Sequence, residues 1–261
     1  MSPSRIDHTD LVTMLAAARR EGRQIRLPEE LAPATVAAGY DAAWMVADAL
    51  DWEPLGWKIA GTTAAVRERL RIDEPIYGPT YRRFREASPC RLPLGELLDP
   101  LVECEFFVTL AEDLKPRDAP WTLAEVHAAV GTVHAGIEVA ECRFPNAALP
   151  PLPAVLADGA ASGRYVYGGP IPDWQDGLAD ITVVLEIDGN PKRHGAGRDV
   201  MGDPLAPLHW LAETLRRRGI GLAAGEMIST GSCTGMLPVR HAQRFVARFG
   251  ADARVEIDFT G

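Results

Sequence analysis

The sequence predicts an α+β fold, in which strands are mixed with a few helices and do not alternate with them. Two observations support this prediction. Helical patterns follow one another near the N-terminus, whereas apolar, β-branched strand patterns dominate from residue 101 onwards. Regular alternation of strands and helices would instead favour a doubly wound parallel sheet. The length of 261 residues and the hydrophobic content of 47% suit one large domain, or one domain with a small appendage.

The N-terminal part is predicted to begin with two helices, over residues 9–21 and 34–49. In the first helix, Asp10 is expected to cap the N-terminus, apolar residues share one face, and Gly22 ends the helix. From residue 56 to residue 100 the chain is rich in proline and is predicted to be irregular, apart from a short helix over Thr63–Leu70. We therefore divide the chain into residues 1–95, mainly helical and containing an active-site loop region, and a strand-rich body over residues 96–261.

The body contains strand patterns and two further helices. A capping box formed by Thr122 and Glu125 opens a short helix, and Asp203-Pro204 opens a longer one that Gly219 ends. The turn at Asp188-Gly189 predicts a hairpin after the third strand. The predicted strands are Leu101–Leu110, Val133–Arg143, Ala179–Ile187, Met227–Thr230 and Arg254–Phe259.

The charge distribution argues against nucleic acid and membrane partners. The net charge is −9, and the arginine runs at residues 82–83 and 216–218 are too short to follow a phosphate backbone. No apolar run approaches the roughly 18 residues that a membrane helix needs, and residues 1–10 meet an aspartate before any apolar run. We expect a soluble, cytoplasmic protein.

The four cysteines, at positions 90, 104, 142 and 233, are predicted to be reduced thiols. They include no CxxC pair, and their spacing fits neither a structural zinc site nor a disulfide framework. Most of them are therefore expected to be small core residues.

Two carboxylates in the strand Leu101–Leu110 are the strongest local signal for chemistry. Side chains alternate along a strand, so Glu103 and Glu105 project from one face, about 7 Å apart, and both can turn toward one cation. The alternative is the solvated face of an edge strand, because carboxylates are usually exposed. The apolar character of the remaining strand residues argues against that alternative.

A third carboxylate, Glu138, stands between β-branched neighbours in another predicted strand. A buried charge is costly unless it is paired or binds a metal. Three carboxylates without a nearby histidine or cysteine pattern form a hard, oxygen-rich site, which suits Mg²⁺ or Mn²⁺ and not zinc. The alternative is that Glu138 pairs with an arginine such as Arg143.

Lys58 is one of only three lysines, beside twenty-four arginines. An ammonium among apolar and glycine neighbours suggests a group that must change its protonation state, which a guanidinium cannot do. The sequence around it favours a simpler interpretation, in which the lysine stem lies along Trp57 and the ammonium stays in water.

Two small, hydroxyl-bearing loops are candidates for binding a substrate carboxylate. They cover residues 158–163 and 230–235, and their glycines allow backbone N–H groups to approach an anionic oxygen. The second loop is similar to a nucleophile elbow around Cys233, but no helix follows it and no histidine is assigned as its base. The candidate substrate-binding residues are Asp158, Ser162, Ser232 and Thr234.

Taken in order, these segments resemble the 2-keto-4-pentenoate hydratase and 4-oxalocrotonate decarboxylase branch of the fumarylacetoacetate hydrolase superfamily. The resemblance runs from about residue 56 to the C-terminus, and no single motif decides it. Its segments are Gly56-Trp57-Lys58-Ile59, the Glu103 and Glu105 pair, Ile137-Glu138-Val139, residues 161–166, and residues 195–211 including Met201-Gly202-Asp203-Pro204.

The resemblance implies a mixed β-roll core with a small N-terminal helical part. It implies Mg²⁺ or Mn²⁺ held by Glu103, Glu105 and Glu138, and a 2-oxo acid that chelates the ion through its carboxylate and C2 oxygen, with Lys58 nearby. Relatives often carry an aspartate where this chain has Ile76, so Asp73 or Glu74 is expected to supply that acid instead. The branch also suggests a homo-oligomer.

The resemblance leaves the reaction open. The leading hypothesis is hydration of a 2-hydroxy-2,4-dienoate, and the alternatives are decarboxylation of a 2-oxo-enedioate and hydrolytic C–C cleavage of an acylpyruvate. Metal-held enolates serve all three reactions. A non-catalytic role, as a subunit associated with a related decarboxylase or hydratase, is a further alternative.

Overall fold

A computed structural model describes residues 8–261, with the side chain of residue 69 excepted. Residues 1–7 lie outside the described residues, and so does most of the segment over residues 1–10 in which no targeting signal is predicted. The helices are α1 Thr9–Glu21, α2 Val36–Leu50, α3 Ala64–Leu70, α4 Leu123–Ala128, α5 Leu152–Ala157 and α6 Ala206–Arg217. The strands are β1 Pro54–Ala60, β2 Ile76–Tyr81, β3 Arg85–Ala87, β4 Cys90–Pro93, β5 Leu101–Leu110, β6 Val130–Ala140, β7 Arg164–Pro170, β8 Thr182–Ile187, β9 Asn190–Ala196, β10 Met227–Ser229, β11 Leu237–Pro238, β12 Gln243–Phe249 and β13 Ala253–Thr260.

The strands form two mixed sheets, which confirms the α+β class. The larger sheet has the order β2-β1-β10-β5-β6-β7-β3, with β11 paired to the end of β5, and the smaller has the order β4-β13-β12-β8-β9. The two sheets share one apolar core, in which the Phe106 ring of β5 meets the Phe249 ring of β12 at 5.3 Å between centroids. The centre of the larger sheet is β5, which antiparallel β6 and β10 flank.

The N-terminal helices pack on a second, smaller core. Leu11 and Leu15 of α1 and Val46 of α2 are buried there, together with Phe144 after β6 and Ala154 of α5. Thr35 caps α2 by accepting a hydrogen bond from the backbone N–H of Ala38 at 3.1 Å. The helical part is thereby fixed against the segments that follow β6.

Two local predictions in the N-terminal half are wrong. The helix α1 spans residues 9–21 as predicted, but Asp10 does not cap it, because the capping position is His8 and Asp10 lies in the first turn. The segment over residues 56–100 is not irregular, since β1 to β4 lie within or across it. Its prolines fall at strand ends or at a position where the backbone N–H is not needed by a neighbouring strand.

Strands from both sides of residue 95 are hydrogen-bonded to one another. Lys58 of β1 pairs in parallel with Ser229 of β10, and Cys90 of β4 pairs with Ile257 of β13. The division into residues 1–95 and 96–261 stays a prediction about domains. In the part of the chain that the structure describes, no helix is both long and apolar enough to span a bilayer.

Candidate metal centre

The three predicted carboxylates converge on one face of the larger sheet. Glu103 and Glu105 lie on β5, and Glu138 lies on β6 directly opposite Glu103 in the antiparallel register. Each offers a carboxylate oxygen, and these oxygens lie within 4.8 Å of one another. Because β5 is a central strand and all three side chains are buried, the solvated-edge alternative is wrong.

Lys58 joins the same cluster and is 2% exposed, so its ammonium is not in water as the sequence favoured. Its Nζ lies 3.1 Å from Oε1 of Glu138 and donates a hydrogen bond of 3.1 Å to the carbonyl oxygen of Ala160. The parallel pairing of β1 with β10 brings it over the glutamates. The partner of Glu138 is therefore Lys58, and Arg143 pairs elsewhere.

Neighbouring groups orient the carboxylates. Tyr165 of β7 donates from its hydroxyl to Oε1 of Glu138 at 3.2 Å, and Ser162 lies 2.9 Å from the same hydroxyl. Oε2 of Glu105 accepts hydrogen bonds from the Ser229 hydroxyl and from the Gly231 backbone N–H. Ser229 and Tyr165 were missed as site residues. Ser229 is the one polar residue of β10, whereas β7 also carries Arg164 and Tyr167, so nothing in its pattern singles out Tyr165.

Burial and mutual repulsion disfavour the simultaneous ionisation of all three glutamates in this site. Burial raises the pKa of Glu105 well above its usual range, and the charges of Glu138 and Glu103 raise it further. Burial also raises the pKa of Glu138, although Lys58 opposes that shift. For Lys58, burial lowers the pKa, but the attraction of Glu138, Glu103 and Glu105 outweighs it, and the net shift is upward.

The donor set fits a hard dication. Three carboxylates and one ammonium carry a formal charge of −2. Oε1 of Glu138 is occupied by Lys58 and Tyr165, whereas its buried Oε2 has no hydrogen-bond partner among the described residues. An orphaned buried carboxylate oxygen is costly, and a cation satisfies it. Oxygen-only ligands suit Mg²⁺ or Mn²⁺.

The loop over residues 230–234 runs beside β5. The backbone N–H of Thr230 donates to the carbonyl of Phe106 at 3.2 Å, and that of Cys233 donates to the carbonyl of Cys104 at 3.0 Å. Ser232 and Thr234 therefore lie next to the strand that carries the glutamates. The buried Ser232 hydroxyl has no hydrogen-bond partner among residues 8–261.

Other predicted site residues do not contact the glutamates. Asp73 and Glu74 are exposed before β2, where Oε2 of Glu74 accepts a hydrogen bond from Trp210 at 3.4 Å. Asp158 is buried, and its carboxylate pairs with Arg19 and Arg143. Their predicted roles stay predictions.

Known proteins similar to this chain decide its family. The chain is 32% identical over 206 residues to the 2-keto-4-pentenoate hydratase of Paraburkholderia xenovorans (strain LB400), covering 78% of this chain and 76% of that one. It is 31% identical over 221 residues to the 4-oxalocrotonate decarboxylase of Pseudomonas sp. (strain CF600), covering 82% of each. The chain belongs to this hydratase and decarboxylase family of lyases. No protein-family model matches it.

Solved structures agree with this family and with its superfamily fold. A 4-oxalocrotonate decarboxylase from Pseudomonas putida G7, complexed with magnesium and adipate, superposes with a TM-score of 0.89 at 27% identity over 99% of both chains. A fumarylacetoacetate hydrolase family protein from Yersinia pestis CO92 is 16% identical, with a TM-score of 0.61 over 81% of this chain and 95% of that one. The second likeness shows the fold alone. The predicted hydratase and decarboxylase branch is confirmed by the similar sequences, and the predicted fold by both structures.

Proposed function

We propose that this member of the hydratase and decarboxylase family is a Mg²⁺- or Mn²⁺-dependent hydratase. Its substrate would be a 2-hydroxy-2,4-dienoate of the 2-keto-4-pentenoate type, and its product a 4-hydroxy-2-oxo acid. The observation that carries the proposal is the convergence of three buried carboxylates and a buried lysine on one sheet face. Hydratases about 30% identical to this chain support the reaction.

Glu103, Glu105 and Glu138 would hold the metal ion. Glu138 would bind through Oε2, because its Oε1 already accepts from Lys58 and Tyr165. A bound dication supplies electrostatic stabilisation of the enolate that forms when a 2-oxo acid loses a C3 proton. The magnesium in the similar decarboxylase supports this assignment.

Lys58 would carry the proton in this scheme. Its Nζ is fixed between Oε1 of Glu138 and the Ala160 carbonyl, shielded from bulk water. A lysine held in this way can give or take a proton at the substrate carbon without leaving its hydrogen-bonded position. Lys58→Arg would keep the charge but not the proton transfer, because a guanidinium stays protonated.

Further residues are proposed for substrate binding and for a second proton transfer. Ser162 contacts the Tyr165 hydroxyl that donates to Glu138, and Ser232 follows Gly231, whose backbone N–H donates to Glu105, so both hydroxyls could donate to substrate oxygens. Thr234, in the same loop as Ser232, is proposed as a further substrate-binding residue. Asp73 and Glu74 remain candidates for the second acid, because they precede β2, whose Gly78 pairs with Lys58.

Decarboxylation of a 2-oxo-enedioate is the second candidate function. It is favoured by the whole-chain likeness to the decarboxylase from Pseudomonas putida G7. The same buried carboxylates and lysine would serve both reactions, because each passes through an enolate that a bound dication would stabilise. In the hydration this enolate is protonated before water adds, and in the decarboxylation it takes up the electron pair released as CO₂ leaves.

One experiment tests the shared first step and a second separates the reactions. Exchange of the C3 protons of pyruvate or 2-oxobutyrate in D₂O, followed by NMR, is expected to require Mg²⁺ or Mn²⁺ and the wild-type Glu103. Absence of metal-dependent exchange would contradict every catalytic reading and leave the partner-subunit alternative.

Product analysis with 2-hydroxy-2,4-dienoates, 2-oxo-enedioates and acylpyruvates then separates the outcomes. Water uptake supports the hydratase, CO₂ release supports the decarboxylase, and formation of two acids supports hydrolysis. Each substrate is tested with the wild type and with Glu103→Gln, so that uncatalysed turnover is subtracted.

We also propose a cytoplasmic enzyme of aromatic-compound catabolism that acts as a homo-oligomer, with a related hydratase or decarboxylase as a partner. The acidic composition and four free cysteines support the compartment. The substrate class of the relatives supports the catabolic role. Sedimentation velocity of the purified chain, alone and with a related decarboxylase, tests the assembly.

A further inference from the structure

A buried ionic cluster connects the N-terminal helix to the loop beside the metal centre. Asp158 is 0% exposed, Arg19 of α1 is 5% exposed, and Arg143, after β6, is 4% exposed. Nε of Arg19 donates to Oδ1 of Asp158 at 2.9 Å, and Nε of Arg143 lies 3.2 Å from Oδ2, which also accepts from the Arg143 backbone N–H at 2.8 Å. Both oxygens of Asp158 are therefore occupied, which leaves it poorly suited to bind a substrate.

The two guanidinium groups hold both ends of a turn in an unfavourable conformation. Arg19 also donates to the Asp158 carbonyl, and Arg143 donates to the Ser162 carbonyl at 3.0 Å. Between these two carbonyls, Gly159, Ala160 and Ala161 have φ angles of +68°, +55° and +59°. A left-handed conformation is unfavourable for a residue with a Cβ, so external contacts must maintain it at the two alanines.

This turn presents an acceptor of the Lys58 ammonium. The Ala160 carbonyl, at its centre, accepts from Nζ of Lys58 at 3.1 Å. The Gly159 carbonyl packs so closely on Gly78 that a Cβ at Gly78 would lie 2.2 Å from its oxygen. Since Gly78 of β2 pairs with Lys58 of β1, the turn is fitted directly against the residue opposite the lysine on the neighbouring strand.

We propose that Arg19, Asp158 and Arg143 form a positioning clamp that fixes the Ala160 carbonyl and, through it, the ammonium of Lys58. The three residues act on Lys58 and do not touch the substrate. This inference rests on the proposed function in one respect, namely that Lys58 transfers the proton. The clamp determines where Nζ of Lys58 lies, and that position can be measured without turnover.

The test uses Arg19→Met, with Arg20→Met as the matched control, because Arg20 is the next residue on α1 and is exposed. Lysine labelled with ¹⁵N at Nζ gives a simple spectrum, since the chain has three lysines and Lys58 alone is buried among them. We expect Arg19→Met to shift or broaden the Lys58 ammonium resonance and Arg20→Met to leave it unchanged.

Kinetics provide the second readout. In the Mn²⁺-loaded enzyme, Arg19→Met should lower kcat for C3 proton exchange by about 10- to 100-fold, because misplacing a reacting group by about 1 Å has effects of this size. KM and Mn²⁺ affinity should change by less than about threefold, since the glutamates do not contact the clamp. Arg19→Lys, which keeps the charge but not the two-pronged donor geometry, should recover part of kcat.

Three results would overturn the clamp. An unchanged Lys58 resonance in Arg19→Met would show that the ammonium does not depend on it. A raised KM at constant kcat would assign Asp158 and its partners to substrate binding. If Arg19→Met does not fold, the same readouts on Arg19→Lys decide, and wild-type values there would reject the proposal. Failure of the proposed function is separate, because it would abolish wild-type exchange and leave the NMR readout intact.

Discussion

Glu103 places a buried carboxylate beside those of Glu105 and Glu138. Its charge contributes to the raised pKa of Glu105, so the metal-free site carries repulsion. Glu103→Gln keeps the side-chain shape and removes that charge. We expect the metal-free variant to be at least as stable as the wild type toward denaturant, because like charges buried together destabilise. Metal affinity and turnover should fall by at least about 100-fold, because even the loss of a residue that only hydrogen-bonds to a metal ligand lowers metal affinity or activity by about 10–100-fold.

Glu256→Gln is the control for this prediction. Glu256 is also a buried glutamate, but it lies on β13 and pairs with Arg244 and Arg254. Its replacement should leave Mn²⁺ affinity, measured by titration calorimetry, unchanged. A Glu103→Gln protein that binds Mn²⁺ as the wild type does would remove Glu103 from the metal centre.

Tyr165 acts on the site through one hydrogen bond. Its hydroxyl donates to Oε1 of Glu138 and so directs Oε2 toward the metal position. Tyr165→Phe should weaken Mn²⁺ binding by about 10-fold. This is the lower end of the range seen when a residue that hydrogen-bonds to a metal ligand is removed, because Lys58 still occupies Oε1. Tyr167→Phe, the same change two residues along β7, should have no effect. Equal affinities for the two variants would contradict this orienting role.

The convergence of the three carboxylates was predictable from the sequence, whereas their hydrogen-bond partners were not. Alternation along a strand is a local rule, and it put Glu103 and Glu105 on one face. The contact of Lys58 with Glu138 depends on a parallel pairing between β1 and β10, whose residues are far apart in the chain. No periodicity encodes that pairing, and the lysine was therefore expected in water.

At the scale of the strand, Gly136 makes room for an aromatic side chain next to the metal centre. It lies opposite Glu105 on β6, and a Cβ there would come within 2.6 Å of the Phe107 ring. Phe107 cannot move aside easily, because its ring packs against Tyr165 and Tyr167 at centroid distances of 5.9 and 5.0 Å. Gly136→Ala should reduce the free energy of unfolding by about 1–3 kcal/mol through overpacking.

Gly169→Ala is the matched control for Gly136→Ala. Gly169 lies on the neighbouring strand β7, and a Cβ there would have open space around it. Its replacement should change the free energy of unfolding by no more than about 0.5 kcal/mol, measured by urea denaturation. Equal losses in both variants would mean that the Phe107 contact does not determine the effect.

Elements with a strong local pattern were predicted closely. The bounds of β5 agree with the sequence prediction at both ends, and the capping box of α4 is present as expected. Strands β1, β2, β7 and β12 were missed as strands. Gly and Pro interrupt the first three, and Arg residues interrupt β12, so their pairing in the sheets overrides a weak local preference.

At the scale of the whole molecule, the smaller N-terminal core ends beside the metal centre. Cys142 and Phe144, which flank Arg143, are buried in that core, and so is Ala157, which precedes Asp158. The residues that follow Asp158 form the turn against Lys58. The packing of α1 and α2 is therefore connected to the position of the lysine through a few covalently linked residues, and the helical part contributes to the geometry of the site.

Metal binding and protonation compete in this molecule, which gives the final prediction a definite sign. In the metal-free state, the pKa of Glu105 lies well above its ordinary value of 4.5, mainly because of burial, and that of Glu138 is also raised. The folded chain then holds protons that the unfolded chain has released, so these groups contribute stability at low pH that is lost as the pH rises through their folded pKa values. Bound Mg²⁺ or Mn²⁺ requires them ionised and must displace those protons.

The stabilisation by metal should therefore grow with pH. Between roughly pH 5.5 and pH 8, the rise in Tm caused by a fixed Mn²⁺ concentration is expected to increase, reaching the equivalent of about 2.7 kcal/mol where the metal exceeds its Kd about 100-fold. Differential scanning fluorimetry with and without Mn²⁺ at each pH measures this, and taking the difference cancels groups that titrate equally in both states. Glu103→Gln should show no such rise at any pH. A metal-induced shift that stays constant between these pH values would mean that the glutamates are already ionised in the metal-free protein, and that the site is better solvated than its burial indicates.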